Sequence, residues 1–510
     1  MFVRKKKNKS GSVSVQIIDT SSGKPRLLKT IGSSANAVEI ENLYHQGISE
    51  LPNFTRQDHF DFDWEDDRSF LDNLRYSLKE IQVIGPEIIL GKLFDEIGFN
   101  QIPDELFRHL VISRLVFPLS KLKTSEYLMR YNGIYVDVEK IYRFLDKLNK
   151  SYKNKVQQIS YDHTKAILNN DISLVFYDVT TLYFEAADED DLRKTGFSKD
   201  GKHQNPQIVL GLLVSVDGYP LAYDIFEGNK FEGHTMLPII EAFKRKYDFD
   251  KLLVVADAGL LSKQNIQLLL EGSYEFILGA RIKSESLIIK KQIMSHVFSD
   301  GQSIVIDRAD HTRLIVSYAR SRAVKDAYNR QKGLNKLEKA ISSGKMTKQH
   351  INNRGYNKYL KLSGDVTISI DYDKYTQDSQ WDGLKGYISN SPLQKDTIID
   401  NYKHLWQIEK AFRISKTDLR VRPIYHRLQR RIEAHLSIAF CSYKLYKELE
   451  RQLKEKKVGI SVEKAIDLMK TIYSINIILP KSRKKTHFIF AKEEQQLHLL
   501  KFFNINVNSQ

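Results

Sequence analysis

Three acidic residues, Asp178, Asp257 and Glu409, are candidates for a shared metal site. Asp178 lies inside the apolar run VFYDVT, and Asp257 closes a second apolar run, VVADAG. A carboxylate within an apolar strand is costly without a partner, whereas the strand ends of an α/β sheet line the crevice that binds ligands. Two acids at such a crevice repel each other, and a divalent cation relieves the repulsion. The two runs therefore predict a metal site.

A third carboxylate, Glu409, is supplied by a predicted helix. Three hard oxygen ligands suit two Mg²⁺ ions, with Mn²⁺ as a substitute, while waters and substrate oxygens complete the coordination. Two such ions activate water or a 3′-hydroxyl and stabilise the leaving oxygen of a phosphodiester. A single acid at a strand end is more often a turn or helix-capping residue, so the prediction depends on the three acids together.

The helix predicted over residues 401–426 surrounds Glu409 with aromatic and basic side chains. At about 100° per residue, one stripe of this helix contains Tyr402, Leu405, Glu409, Arg413 and Lys416. Such a stripe fits a surface that holds a metal ion against DNA, with the cations on phosphate oxygens and the ring on a base or sugar. The alternative is an ordinary amphipathic helix with i,i+4 pairs such as Glu409–Arg413.

Composition narrows the partner to a polyanion. The chain has 510 residues, 79 basic and 63 acidic, and a formal charge of +16, which favours nucleic acid or an anionic surface. No apolar run reaches the roughly 18 residues of a membrane span, and the basic start is not followed by a signal sequence. The single cysteine, Cys441, excludes an internal disulfide and a thiolate zinc cluster. It lies in an apolar stretch and is predicted to be buried.

The predicted fold class is α/β, because three strands, a helix, a strand, a helix and a strand follow one another after residue 174. Antiparallel leading strands and parallel later ones are expected. The predicted segments are a basic β unit (1–52), a linker (53–84), a helical DNA-binding domain (85–165), the first part of a catalytic core (166–285), a β-rich insertion (286–395), the second part of the core (396–450) and a basic C-terminal helical tail (451–510).

These motifs resemble those of the DDE transposases of bacterial insertion sequences, in the branch with a β-rich insertion and a Tyr-x2-Arg-x3-Glu-x6-Lys signature. YDVTTLYF is similar to the first-Asp motif and VVADAGLLS to the second. Tyr402, Glu409 and Lys416 match the signature at its spacing. The resemblance extends roughly over residues 174–445. It implies a ribonuclease-H-like core, two Mg²⁺ ions, double-stranded DNA as substrate (element ends and target) and a homodimer on DNA, in the cytoplasm with the nucleoid.

One position departs from the signature, because Leu405 stands where the family has arginine. In the family the Arg and Lys hold a phosphate near a flipped base. Arg413, one turn beyond Glu409, could replace it, as could Arg420 or Arg422 if the chain folds back. The departure leaves open whether the element ends are released through a DNA hairpin.

Further DNA contacts are predicted at residues outside the acidic triad. Lys199 and Lys202, in FSKDGKH, flank the site and are expected to contact phosphate. Trp381 is a candidate for stacking on an extruded base, with packing inside the fold as the alternative. His426, after the predicted helix, is expected near DNA.

The leading functional hypothesis is a transposase that cleaves at the ends of its element and joins the freed 3′-hydroxyls to target DNA. One alternative is a catalytically defective protein that binds the ends and acts as a repressor. Another is a structure-specific nuclease on the same fold, which would cut without strand transfer. The presence of all three acids favours an enzyme, and the basic N-terminal region favours recognition of an end sequence.

Overall fold

The computed structural model describes residues 1–54, 71–198, 201–249, 251–352, 354–363, 367–479 and 482–506. These divide into two compact units, Met1–Glu80 with Asn476–His487, and Ile81–Ile475 with Phe488–Gln510. The predicted segment boundaries at 85, 165, 285 and 395 all lie inside the second unit. No helix in the described part of the chain is long and apolar enough to cross a membrane.

The first unit contains a three-stranded antiparallel sheet in the order β1-β2-β3, followed by a helix. Its elements are β1 (Phe2–Lys7), β2 (Val13–Asp19), β3 (Arg26–Ser34) and α1 (Ala37–Glu50). Val15 and Ile17 of β2 form its core with Val3 of β1. Of the predicted linker, residues 55–70 lie outside the described residues, 71–77 are helical, and β4 covers Leu78–Val83.

The second unit begins with helices over the segment that the sequence predicts to be helical. They are α2 (Gly85–Ile97), α3 (Glu105–Val116), α4 (Lys121–Asn132), α5 (Val138–Lys147) and α6 (Lys153–Ile167). Asp104 and Ser120 cap α3 and α4 by accepting backbone N–H bonds. Gly98 ends α2 with a φ of 94°, a conformation that favours glycine.

The main sheet confirms the predicted mixed α/β fold flanked by helices. Its first strands are β5 (Leu174–Tyr183), β6 (Gln207–Ser215), β7 (Pro220–Glu227), β8 (Leu253–Ala256) and β9 (Glu275–Ala280), with α7 (Met236–Tyr247) and α8 (Lys263–Glu271) between them. β5, β6 and β7 are antiparallel neighbours, whereas β8 runs parallel to both β5 and β9. The strands are nearly all apolar because side chains pack against both faces.

The β-rich insertion extends this sheet instead of interrupting it. Its elements are α9 (Leu287–Ser295), β10 (Ser303–Asp307), β11 (Arg313–Tyr318), α10 (Arg320–Ser342), β12 (Leu360–Ser363), β13 (Thr367–Ile370), α11 (Tyr372–Ser379) and β14 (Leu384–Ser389). The eight-stranded order is β10-β11-β14-β9-β8-β5-β6-β7, and β12-β13 form a separate pair. β14 pairs with β9, whose backbone groups would otherwise form an open edge.

The helix predicted over 401–426 is wrong in extent, because the structure has two helices there. These and the later elements are α12 (Lys395–Lys403), α13 (Trp406–Thr417), α14 (Gln429–Glu455), α15 (Val462–Met469), β15 (Tyr473–Ile478), β16 (Lys485–Phe490) and α16 (Glu494–Phe502). The C-terminal tail is therefore not only helical, since β15 and β16 join β4 in a three-stranded sheet. Cys441 is buried in α14, as predicted.

Candidate active site

Asp178 and Asp257 lie at the same level of two neighbouring parallel strands. Tyr177 of β5 pairs with Ala256, the last residue of β8. Each acid is the next residue along its own strand, so the chain positions them side by side where β8 ends and β5 continues to Tyr183. The fold therefore brings two of the three predicted acids together at the carboxyl end of β8, beside β5. We call this region, with Glu409, the acidic edge.

Both acids belong to the face of the sheet that α13 covers. Phe176 and Val255 share a hydrophobic cluster with Ile408 and Phe412 of α13. Because side chains alternate between faces, residues two positions beyond Phe176 and Val255 point the same way. Asp178 is half-buried and Asp257 is exposed, and an oxygen of Asp178 accepts the Val179 backbone N–H at 2.7 Å.

A buried tyrosine fixes Asp257. The Tyr402 hydroxyl donates a hydrogen bond of 3.0 Å to Asp257 Oδ1, although the Tyr402 ring is only 4% exposed. Gly279 of β9 makes room for this contact, since a Cβ there would lie 2.4 Å from the Tyr402 hydroxyl oxygen. Gly279 and Tyr402 together fix the Asp257 carboxylate at the end of β8.

Glu409 lies in the first turn of α13, and its charge acts on Tyr402 and Lys385, as does the charge of Asp257. The helix N-terminus favours its negative charge. Burial, the charge of Asp257 and the hydrogen bond to it raise the pKa of Tyr402, and the charge of Glu409 adds to this rise. Both carboxylates also act on Lys385, so the three groups share one small region.

Lys385 is the functional candidate that the sequence analysis did not identify. It lies on β14, half-buried, with its ammonium 4.4 Å from the centre of the Tyr402 ring. Burial and the nearby Arg322 lower the pKa of Lys385, while Asp257 and Glu409 oppose that shift. No local signal marks this lysine, because its position depends on the pairing of β14 with β9 across more than 100 residues of sequence.

The donor set fits a hard divalent cation, but the carboxylates do not form a closed cluster. Within the described ranges no three His, Cys, Asp or Glu side chains are gathered closely enough to hold an ion. Asp178, Asp257 and Glu409 offer only oxygen donors, which are the ligands that Mg²⁺ prefers. The positive charge of Lys385 lies within reach of the charges of Asp257 and Glu409.

The predicted stripe on one helix is not continuous. Tyr402 lies in the last turn of α12 and Leu405 immediately precedes α13, and both side chains are buried. The contact between Tyr402 and DNA stays a prediction. Glu409 and Arg413 are exposed one turn apart on α13. Lys416, half-buried, lines a cavity over β5 and β6 with Thr180.

Other predicted DNA contacts group around the far end of β5. The Lys202 ammonium and the Arg422 guanidinium lie 5.4 Å and 5.9 Å from the centre of the Tyr183 ring. Arg420, Arg422 and His426 line one cleft. Trp381 packs partly buried against the hydrophobic cluster on the other face of the sheet, and Lys199 lies outside the described residues.

Three comparisons with known proteins show what this chain is similar to. A solved structure described as a piggyBac transposase synaptic complex with hairpin DNA aligns at a TM-score of 0.36 and 10% identity, over 72% of this chain and 69% of that chain. No curated protein matches the sequence. The model of the family described as the transposase DDE domain matches residues 169–445, more than half of the chain. The chain therefore belongs to the family of the transposase DDE domain.

Proposed function

We propose that this protein is the transposase of an insertion sequence, which cleaves the phosphodiester at the element ends and transfers the freed 3′-hydroxyls to target DNA. The observation that carries the proposal is the geometry of the three acids. Asp178 and Asp257 are level on neighbouring strands, and Glu409 acts electrostatically on the same Tyr402 that binds Asp257.

Each side chain of the site has a distinct part in this proposal. Asp178, Asp257 and Glu409 would hold two Mg²⁺ ions, or Mn²⁺ as a substitute. Bound there, the ions would supply Lewis acidity and an activated nucleophile for in-line displacement. Tyr402 orients Asp257 through its hydrogen bond, as partners behind metal ligands commonly do. Lys385 offsets the repulsion between Asp257 and Glu409.

Basic residues around the acids would carry the DNA. Arg413 and Lys416 follow Glu409 on α13, while Lys202 and Arg422 converge on Tyr183 at the end of β5. A formal charge of +16 supports a polyanionic partner. Two DNA ends must be held together for transposition, so we propose that the protein acts as a homodimer on DNA. Lys199 and Trp381 remain proposed contacts to phosphate and to an extruded base.

The test is cleavage of double-stranded DNA that bears the border of the element, with Mg²⁺ present. We expect Asp178→Ala, Asp257→Ala and Glu409→Gln each to lower the cleavage rate by roughly 1,000-fold or more, because metal charge stabilisation contributes several kcal/mol to the barrier. Cleavage by these variants at the parent rate contradicts the assignment of the triad.

Asp224→Asn is the matched control. Asp224 lies on β7 of the same sheet and accepts the N–H of the next residue, Ile225, at 2.9 Å, just as Asp178 accepts that of Val179. It is two strands away from β5, so its variant should cleave at close to the parent rate. End binding without any metal-dependent product would instead favour a repressor, and cleavage without strand transfer would favour a nuclease.

A further inference from the structure

A cleft of about 570 Å³ separates the ends of α3 and α4 from the chain that follows α13, and it is lined by cations. Those that lie deepest are Arg114 and Lys121, each only 5% exposed. His426 and His435 line the cleft beside them, and Arg420 and Arg422 stand on its wall. The cleft thus collects basic side chains from two regions that are distant in sequence, residues 114–121 and 420–435.

In the part of the chain that the structure describes, Arg114 and Lys121 have no balancing acid. Among the described residues, no carboxylate forms an ion pair with Arg114 or Lys121, and Arg114 donates a single long hydrogen bond of 3.5 Å to the Leu419 carbonyl. A buried charge without a partner costs several kcal/mol. The lowered pKa of Lys121 relieves part of this cost, and an anion in the cleft would offset the remainder.

The helix dipoles disfavour the positive charge of Lys121 and favour that of Arg114. Lys121 is the first residue of α4, where the unpaired backbone N–H groups already carry partial positive charge. A lysine is unfavourable at that end of a helix. Arg114 lies in the last turn of α3, where the helix favours a cation. Lys121 is therefore the residue with the least compensation.

The basic groups of the cleft are close enough to lower one another's pKa values. Burial, and then the charge of Arg114, lower the pKa of Lys121 well below its usual value. Burial lowers the pKa of Arg114 to about 10. Burial, followed by the charges of Arg114 and Lys121, lowers the pKa of His435, whose Nδ1 is buried without a hydrogen-bond partner.

We propose that this cleft, built on Arg114 and Lys121, binds a non-reacting phosphodiester group of the DNA, an inference that rests on the proposed function. The cleft adjoins β5 where the Ile424 N–H bonds to the Tyr183 carbonyl at 3.1 Å. Tyr183 is five residues beyond Asp178, or about 16 Å along the strand. A phosphate in the cleft is too far away to react and instead fixes the position of the strand that enters the acidic site.

The first experiment measures thermal unfolding of the full-length protein in inorganic phosphate and in chloride at equal ionic strength. We expect phosphate to raise the parent Tm by mass action. Lys121→Met should remove that rise and, since it deletes an unbalanced buried charge, should raise the Tm in chloride by about 2 °C. Lys123→Met is the control, because Lys123 is exposed and paired with Glu126 at 2.8 Å. It should keep the phosphate response.

The second experiment identifies the source of the phosphate. We expect the affinity of Lys121→Met for a 30-base-pair duplex to fall, and the slope of log Kobs against log salt to become shallower by about one. A parent Tm that does not respond to phosphate, or an unchanged salt slope, overturns the proposal. Neither measurement needs cleavage, so a protein that binds phosphate here but never cuts DNA would overturn the proposed function alone.

Discussion

The two charged regions of the second unit are unbalanced in opposite ways. At the edge of β5 and β8, Asp257 and Glu409 surround a lysine, Lys385, that offsets part of their repulsion. In the cleft beside α4, Arg114 and Lys121 are buried without an acid among the described residues. The acidic edge therefore contains its own counter-charge, whereas Arg114 and Lys121 in the cleft would obtain one from a bound anion.

The difference also appears in hydrogen bonding. Asp257 accepts a bond of 3.0 Å from Tyr402, and Asp178 accepts one from its neighbouring backbone. The cleft offers Arg114 only a distant carbonyl. Preorganised groups are expected where chemistry occurs, and uncompensated charge where a ligand supplies the missing half. The contrast supports assigning reaction to the edge and retention of DNA to the cleft.

The sharpest test of preorganisation at the acidic edge is Tyr402→Phe. The change removes one hydroxyl and leaves the buried ring in place, so Asp257 loses its orienting donor. Loss of a partner behind a metal ligand typically lowers activity or metal affinity by 10- to 100-fold. We expect a fall of that size in the Mg²⁺-dependent cleavage rate, and a higher Mg²⁺ concentration at half-maximal rate.

Tyr387→Phe is the matched control for that change. The Tyr387 ring is buried 4.9 Å from the Tyr402 ring, but its hydroxyl accepts a long bond from Ser317 and not from the site. Its rate should stay within about twofold of the parent. Equal losses in the two variants would mean that ring packing matters and that the bond to Asp257 does not.

A smaller effect is expected from Lys385→Met, which removes the counter-charge of the acidic edge. Asp257 and Glu409 then repel each other without compensation, and we expect the cleavage rate to fall about tenfold, or 1.4 kcal/mol in the barrier. Lys385→Arg keeps the positive charge and should recover most of the rate. If Lys385→Met cleaves as fast as the parent, the acidic edge does not depend on its internal cation.

The sequence signals that single out the three acids are local. Asp178 and Asp257 each follow an apolar strand-forming run, and Glu409 stands at a fixed spacing from Tyr402 and Lys416. The mixed sheet followed from the order of apolar runs and amphipathic helices. These features depend on neighbouring residues, which a sequence displays directly.

The helix break between α12 and α13 could not be predicted in the same way. No glycine or proline interrupts residues 401–417, so intrinsic preference favours one helix. In the structure Tyr402 and Leu405 are both buried on either side of the break. Tertiary packing therefore overrides propensity, and it directs the Tyr402 hydroxyl toward Asp257.

The roles of Lys385 and Lys121 were hidden for a different reason. Lys385 reaches the site only because β14 pairs with β9, and the cleft combines α3, α4 and the chain after α13. No local pattern in the sequence marks either arrangement. Contacts between distant segments determine which basic residues are solvated and which are buried. The amino-acid composition gives only the number of basic residues.

The smallest expected effect concerns His426 and the acid stability of the cleft. Burial, then the charges of Lys121, Arg114 and Arg431, lower the pKa of His426 to about 3. His435 and the Tyr142 ring also face it. An unfolded histidine titrates near 6.5, so between about pH 3 and pH 6.5 the unfolded chain binds more protons than the folded one, and stability falls as the pH falls.

In urea unfolding we expect His426→Gln to reduce this loss of stability by up to about 1.4 kcal/mol per pH unit. The same slope in parent and variant would show that the cleft does not hold His426 neutral, and would remove one reason for regarding its cations as uncompensated.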